Sequence, residues 1–198
     1  MSLVLALSGV AGAVSQPLYK VEIDNAWVHV VREMLAPHEK SAVHTHTNPT
    51  VTVYVTPTRD HHAGDVVWRE AGAHVDENTS GAPAELVVIE LKPNAPPSPP
   101  VALDPVKLDP KYHVVAFENA RVRALRTILE PGIRSPLHEH PHYVVVYLTE
   151  LHTTMTLADG REVDNPRVPG ETAWRDYMKH STLNVGKRTA VEIQVELK

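Results

Sequence analysis

The chain has 198 residues, of which 42% are hydrophobic and 22% charged, an ordinary composition for a globular protein. Its formal net charge is −5 and it contains no block of Lys or Arg, so neither nucleic acid nor an anionic membrane surface is an expected partner. The absence of cysteine excludes disulfides, thiolate metal ligands and a cysteine nucleophile. What needs explanation is the excess of histidine, with thirteen residues that fall mostly into short clusters.

The chain starts with an apolar stretch of small residues, MSLVLALSGVAGAVS, and no charged side chain precedes Lys20. This stretch is too short to cross a membrane as a helix. It has the apolar region and the small-residue end of a secretory signal but lacks the positively charged start. Two interpretations of residues 1–18 stay open. A signal peptide would make the protein exported or periplasmic, whereas a tail that packs on the fold would leave it cytoplasmic.

Short runs rich in β-branched residues, each bounded by Pro, Gly, Asn or Asp, predict strands along the chain. In chain order these runs are residues 27–35, 50–56, 85–92, 121–129, 143–149 and 190–197. No segment keeps a helical apolar period over the length of a globular helix. Seven prolines between residues 93 and 110 predict a stiff, extended linker. The predicted fold class is all-β.

Two blocks of the second half repeat two blocks of the first half in the same order. Residues 24–46 recur at 118–140 with an offset of 94, and residues 64–78 recur at 170–184 with an offset of 106. The identical residues at matching positions include Asn25 and Asn119, Ala26 and Ala120, Val28 and Val122, Arg32 and Arg126, Pro37 and Pro131, Ser41 and Ser135, His44 and His138, His46 and His140, Gly64 and Gly170, Trp68 and Trp174, Arg69 and Arg175, His74 and His180, and Asn78 and Asn184. This order indicates an internal duplication.

The change of offset has a local explanation in residues 155–163, MTLADGREV, where two strand-like runs flank Asp159-Gly160. An Asp-Gly pair between such runs is a strong hairpin signal. The first half has only TRDHHAG at the corresponding place, so it is expected to lack this hairpin. We therefore expect two tandem barrels, a shortened one in residues 19–92 and a second in residues 112–198, joined by a linker over 93–111.

The repeated histidines have the spacing of metal ligands. Residues two apart on a strand share a face, so each His-x-His pair can point into a barrel. A single pair is weak evidence, but each half also keeps a third histidine at a duplicated position. The predicted metal ligands are His44, His46, His74, His138, His140 and His180. A structural or vestigial role for the histidines stays open as the alternative.

Two other duplicated pairs have structural and functional interpretations. Asn78 and Asn184 are expected to hold the turn after the third histidine through bonds from the side chain to the backbone. Arg69 and Arg175 are expected to form an ion pair with the acidic residue next in sequence, and binding of a carboxylate is the alternative.

The two halves resemble the tandem barrels of a bicupin, the duplicated form of the cupin superfamily. The resemblance rests on the His-x-His pairs and on a His-x-x-x-Asn pattern that follows Gly64 and Gly170 by ten residues. It covers about residues 19–92 and 112–198. It implies two double-stranded β-helix (jelly-roll) barrels that bind a divalent transition metal.

The chain departs from the cupin pattern where a glutamate normally follows the second histidine. Thr50 and Val51 stand at these positions in the first half, and Val144 and Val145 in the second. The implied ligand set is three neutral imidazoles, which resembles that of some thiol or diketone dioxygenases with iron(II). Zinc, manganese, nickel and copper are also compatible with this set. His142, two residues beyond His140, is a candidate fourth ligand.

Two functions follow from this resemblance. The first is a metal-dependent oxidoreductase of the iron(II) dioxygenase type that acts on a small, and on charge grounds anionic, molecule. The alternative is a non-catalytic protein that binds a metal or a small ligand. A small molecule is the expected partner in both cases, and a homodimer is an expected assembly.

Overall fold

The computed structural model describes residues 18–198, so the apolar stretch interpreted as a signal or a tail lies outside the described residues. The described chain forms one short helix, α1 (Pro105–Leu108), and sixteen strands. The strands are β1 (Leu18–Asp24), β2 (Val28–Leu35), β3 (His44–His46), β4 (Thr50–Tyr54), β5 (Val66–Arg69), β6 (Gly72–His74), β7 (Ala84–Leu91), β8 (His113–Glu118), β9 (Val122–Leu129), β10 (His138–His140), β11 (Tyr143–Tyr147), β12 (Leu151–Leu157), β13 (Glu162–Arg167), β14 (Thr172–Arg175), β15 (Met178–Asn184) and β16 (Ala190–Leu197). The all-β, jelly-roll prediction is confirmed. No helix in residues 18–198 has the length and apolar character needed to span a membrane.

Each half builds one five-stranded antiparallel sheet, and the two sheets have the same strand order. The first sheet is ordered β1-β2-β7-β4-β5 and the second β8-β9-β16-β11-β14. Strands that are equivalent in the duplicated sequence therefore occupy equivalent places in the two sheets.

The smaller sheets differ between the halves. The second half has a four-stranded sheet ordered β10-β15-β12-β13, whereas the first half has the two-stranded sheet β3-β6. The extra strands β12 and β13 pair with each other on either side of Asp159-Gly160. Gly160 has a φ of 83°, a conformation that favours glycine. Pro166, which cannot donate a ladder hydrogen bond, lies on β13 at the edge of the sheet.

The largest hydrophobic core lies between the two five-stranded sheets and takes residues from both halves. It is built almost entirely of Val, Ile and Leu, including Val30, Val51, Val53, Ile89, Val144, Val146, Ile193 and Val195. Smaller clusters fill the space on the other face of each sheet. Strand β11 is buried on both faces, since Val144 and Val146 belong to the shared core while Tyr143, Val145 and Tyr147 belong to the barrel interior. This explains why its sequence is continuously hydrophobic rather than alternating.

The prolines between the halves predict an extended linker, but the structure shows a segment that is extended only in part. Its end folds into α1, because the Asp104 side chain accepts a hydrogen bond from the Val106 backbone at 3.1 Å and Pro105 occupies the start of the helix. Helix α1 contacts both β8 and β10. The segment thus packs against the strands that carry histidines of the second half.

Candidate metal site

The three predicted histidines of the second half lie together. Strands β10 and β15 pair so that His138 is directly opposite His180, and His140 lies two residues along β10 on the same face. The ring centroid of His138 is 4.8 Å from that of His140 and 4.6 Å from that of His180. The rings of His140 and His180 are 5.5 Å apart. All three side chains are buried.

A fourth buried histidine, His113, joins this cluster from the opposite sheet. Its ring lies 4.9 Å from that of His138, and nitrogen atoms of His113, His138 and His140 all lie within 4.8 Å of one another. The repeat comparison missed His113 because the matching position of the first half is Tyr19. The sequence indicates His113 only by its position, at the start of the strand that precedes the repeated block 118–140.

Hydrogen bonds fix which ring nitrogens face the cluster. His138 Nδ1 donates to the Pro136 carbonyl at 2.7 Å, and His140 Nδ1 donates to Glu196 Oε1 at 2.7 Å. His140 Nε2, His113 Nδ1 and His180 Nδ1 are buried and have no hydrogen-bond partner within residues 18–198. A carboxylate or carbonyl on one nitrogen with the other left free is the arrangement found around metal-bound imidazoles. The residues present therefore fit a metal ion.

Burial keeps these imidazoles neutral. Desolvation is the largest influence on each of the four, and it lowers the pKa of His113 to about 3. It also lowers the pKa of His138, and holds those of His140 and His180 well below the ordinary value. A metal ion needs unprotonated imidazole, so at neutral pH the site requires no proton release before binding.

His142, the fourth ligand candidate from the sequence, is not part of this cluster. Strand β10 ends at His140 and the chain turns before β11 begins, so the two-residue period does not continue to His142. Its ring instead lies 4.6 Å from Trp27 and 5.7 Å from Trp174. His113, and not His142, is the fourth histidine of the buried cluster.

The first half brings its three predicted histidines together in the same register. His44 is directly opposite His74, and the rings of His44, His46 and His74 are separated by 4.3 to 5.3 Å. His44 Nδ1 donates to the Ala42 carbonyl at 3.1 Å, and His46 Nδ1 donates to Glu90 Oε2 at 3.0 Å. These acceptors occupy the same repeat positions as Pro136 and Glu196, so the orienting bonds are duplicated along with the histidines.

The two sites differ in their access to solvent. The histidine side chains of the first half are 19–31% exposed, whereas the four histidines of the second half are 0–3% exposed. The cause is the two-stranded sheet of the first half, which covers less of the barrel interior than the four-stranded sheet of the second.

The expected ion pairs of the two duplicated arginines with the next residue are wrong. Neighbouring residues on a strand point to opposite faces, so Arg69 and Arg175 face the barrel interior while the acidic residues face the other way. Those acidic residues, Glu70 and Asp176, accept hydrogen bonds from the indole nitrogens of tryptophans at 2.7 and 3.0 Å.

The two arginines then find different partners. Arg69 forms an ion pair with Asp76 at 2.8 Å. Arg175 donates to the Tyr147 hydroxyl at 3.2 Å and forms no ion pair with any acidic side chain in residues 18–198. Arg175 also donates to Asn165 Oδ1 at 3.4 Å, and the charge of the Glu192 carboxyl helps to raise the pKa of its guanidinium.

Arg175 and three of the four buried histidines line one cavity of about 40 Å³ inside the second barrel. A single water needs about 10–15 Å³ by this measure, so the cavity holds roughly three waters or a ligand of similar size. Polar residues that face it include His113, His138, His180, Tyr147, Arg175 and Glu192. Burial raises the pKa of the Glu192 carboxyl to about 7, so it is neutral in mildly acidic solution.

The duplicated asparagines have the predicted structural role. Asn184 donates to the Leu129 and Arg188 carbonyls at 2.7 and 2.8 Å and accepts from the Gly186 backbone at 2.9 Å. Asn78 makes the equivalent set of bonds in the first half. Both side chains are fully buried, so they fix the chain just beyond the third histidine.

Comparison with known proteins shows similarity of fold. No protein-family model matches the sequence, and no curated protein matches it. The solved structure of AerE from Microcystis aeruginosa is 12% identical, with a TM-score of 0.62 over 92% of this chain and 98% of that chain. A structure from a study of the Mn(II) centres of Bacillus subtilis oxalate decarboxylase is 13% identical, with a TM-score of 0.58 over 86% of this chain and 68% of that chain. The formate complex of Lactobacillus farciminis oxalate decarboxylase is 11% identical, with a TM-score of 0.60 over 86% of this chain and 76% of that chain.

Proposed function

We propose that the protein is a two-barrel member of the cupin superfamily and that its second half binds a divalent transition metal to act on a small anionic molecule. The observation that carries this proposal is the cluster of four buried, neutral histidines in the second half. Three of them line one cavity, and three have a buried ring nitrogen without a hydrogen-bond partner in residues 18–198. Buried polar atoms in native proteins nearly always have a hydrogen-bond partner, so a bound ligand is the expected partner of these nitrogens. Imidazole suits iron, zinc, copper and nickel, and iron(II) is the metal we favour. The Mn(II) centres named for the oxalate decarboxylase neighbour make manganese an alternative.

The charge of the cavity favours an anion. Neutral imidazoles leave the whole 2+ charge on the metal, and Arg175 adds a cation that has no ion-pair partner among the described residues. Arg175 and the Tyr147 hydroxyl, 3.2 Å apart, present donors to one ligand. A carboxylate would satisfy the guanidinium with two parallel hydrogen bonds.

The size of the cavity restricts the ligand. With room for roughly three waters, it suits a molecule of a few non-hydrogen atoms rather than an extended substrate. A bound redox metal would supply electron transfer and activation of dioxygen there. The residues of this chain would hold and orient the anion, exclude water, and keep a proton on Glu192, whose pKa is raised to about 7 by burial.

The test is to purify the full chain without chelators, measure its metal content, and then measure oxygen consumption with small carboxylates and small thiols. We expect stoichiometric iron in the second half and substrate-dependent oxygen uptake that His140→Ala abolishes. His152→Ala is the matched control, because His152 is an exposed histidine paired with Asp164 outside the cluster. A fourfold variant with alanine in place of His44, His46, His138 and His140 should bind no metal. If this variant retains its metal, the assignment of the histidines as metal ligands is wrong.

A second function, non-catalytic binding of a metal or small ligand, is favoured by the fourth histidine. If His113 and His180 both coordinate alongside His138 and His140, fewer positions remain for substrate and dioxygen. A protein that holds its metal and binds a small carboxylate, but consumes no oxygen and converts none of the compounds, would support this function instead.

A further inference from the structure

The histidines of the first half meet a carboxylate that the sequence did not single out. Asp76 lies two residues beyond His74, and its Oδ2 is 3.2 Å from His74 Nε2 and 3.3 Å from His44 Nε2. His44 Nε2 is the nitrogen left free by the bond from His44 Nδ1 to the Ala42 carbonyl. We propose that Asp76 is the fourth protein ligand of a metal site in the first half, so that this site combines three imidazoles with a carboxylate where the cluster of the second half has imidazoles alone.

The surrounding residues hold the Asp76 carboxylate in place. Its other oxygen, Oδ1, accepts a hydrogen bond from Arg69 at 2.8 Å, and its backbone N–H donates to the Ser41 hydroxyl at 2.9 Å. The side chain is only 13% exposed. One oxygen is thus fixed by a cation while the second faces the imidazoles of His44 and His74, which is how a carboxylate ligand is oriented by its outer partners.

The duplicated residues of the second half show that the two sites have diverged. The backbone N–H of Thr182 donates to the Ser135 hydroxyl at 2.9 Å, which matches the bond from Asp76 to Ser41, so Thr182 occupies the place of Asp76. In the five-stranded sheets, Tyr19 pairs with Glu33 on the adjacent strand as His113 pairs with Thr127, so Tyr19 occupies the place of His113. The first half therefore has a carboxylate where the second has Thr182, and the second half has an imidazole where the first has Tyr19.

This exchange changes what each site can do. Three imidazoles and one carboxylate supply four protein donors, the number that closes a structural zinc site. The carboxylate also neutralises one charge of a divalent ion, so the site attracts an added anion less strongly than an all-imidazole site does. The first half has only two strands in its smaller sheet, and a bound metal would stabilise it. This inference rests on the proposed metal binding, but it concerns a different set of residues.

The experiment uses the full chain with His138 and His140 both replaced by alanine, so that only the first site remains. Zinc affinity is measured by competition with a chromophoric chelator, and cobalt(II) absorption reports the ligand set. We expect one zinc per chain. Asp76→Asn should lower the affinity more than about 100-fold, since loss of a ligand exceeds the 10–100-fold typical of losing an outer partner. Arg69→Gln should lower it less than Asp76→Asn does.

Two further measurements keep the outcome clear. Glu77→Gln is the matched control, because Glu77 is an exposed neighbour paired with Lys40. Circular dichroism without metal tests folding, and if Asp76→Asn does not fold, Asp76→Glu should shift the cobalt spectrum. An affinity unchanged by Asp76→Asn, a spectrum unchanged by Asp76→Glu, or no zinc in the background variant would each overturn the inference. Metal in the second half of the wild-type chain would then leave the proposed function standing.

Discussion

At the scale of single residues, the site depends on the atoms behind the histidines. His140 and His46 each donate from Nδ1 to a glutamate near the end of a strand in the five-stranded sheet of the same half. These acceptors are Glu196 on β16 and Glu90 on β7. Glu196 also accepts from Arg123 Nε at 2.6 Å. Burial raises the pKa of Glu196, and the hydrogen bond from the Arg123 guanidinium opposes this rise. The glutamate therefore sets both the orientation and the tautomer of the imidazole.

Glu196→Gln should lower the metal affinity of the second site about 10–100-fold, because the amide orients His140 less strongly than the carboxylate does. The affinity is measured by chelator competition in a chain that lacks His44 and His46. Glu118→Gln is the control, since Glu118 is an exposed glutamate that, like Glu196, pairs with a basic side chain. Its partner is Lys198, at 2.6 Å. An affinity within twofold of the parent would contradict this role of Glu196.

Glu192→Gln should change how stability depends on pH. The folded-state pKa of Glu192 is raised from 4.5 to about 7, so between these values the folded protein keeps a proton that the unfolded chain has lost. The contribution of Glu192 to the free energy of unfolding of the wild type is thus fully present below about pH 4.5 and is lost as pH rises through about 7. Relative to the wild type, the metal-free variant should gain on the order of 1–3 kcal/mol between about pH 4.5 and pH 8. Urea unfolding across this range measures the difference, and a constant difference would contradict the prediction.

At the scale of elements, strand pairing brings the histidines together, and the β12–β13 hairpin distinguishes the buried cluster from the partly exposed one. Antiparallel pairing of β10 with β15, and of β3 with β6, places the third histidine opposite the first in both halves. The hairpin widens the sheet of the second half, so its histidines are buried while those of the first half stay partly exposed. The chain that follows the third histidine of each half is fixed by the hydrogen bonds of an asparagine, Asn78 or Asn184.

Asn184→Ala should lower the free energy of unfolding by about 2–4 kcal/mol, because it removes three hydrogen bonds and leaves the Leu129 and Arg188 carbonyls without that donor, in a buried and a part-buried position respectively. Chemical denaturation of the metal-free protein measures the loss. Asn94→Ala is the control, as Asn94 is exposed, and it should change stability by less than about 0.5 kcal/mol. Equal effects of the two substitutions would show that Asn184 does not hold the turn.

At the scale of the whole molecule, the two halves share their largest core. The five-stranded sheets face each other through valines, isoleucines and leucines from both halves, and Trp27 stacks on Trp174 across the two halves at 5.2 Å. A separated half would expose this apolar face to water. We therefore expect the halves to fold as one unit, and the homodimer stays a prediction.

Ile89→Ala should destabilise the protein by about 2–4 kcal/mol, because Ile89 is fully buried in the shared core. Unfolding should remain one transition when followed by tryptophan fluorescence and by circular dichroism. Val163→Ala is the control, since Val163 is 37% exposed on the β12–β13 hairpin. Two separate transitions would show that the halves are independent.

Much of the fold and part of the site could be predicted from local patterns. The β-branched runs predict strands because alternation and burial are local properties of a strand, and the repeat pairs His44, His46 and His74 with His138, His140 and His180. The prediction for the arginines was wrong, because it used adjacency in sequence where opposite faces of a strand decide the contacts. Helix α1 was missed because a four-residue helix has no periodic signal.

The sequence alone determined the all-β class, the duplication and the six repeated histidines, since each depends on spacing along the chain. Only the tertiary structure decided that His113 joins the second cluster, that Asp76 joins the first, and that His142 belongs to neither. His113 comes from the opposite sheet, and Asp76 is positioned by Arg69 on another strand. The physical reason is that these side chains approach one another across the interior of a barrel. The distances between their atoms depend on how the sheets pack, and not on how far apart the residues are in sequence.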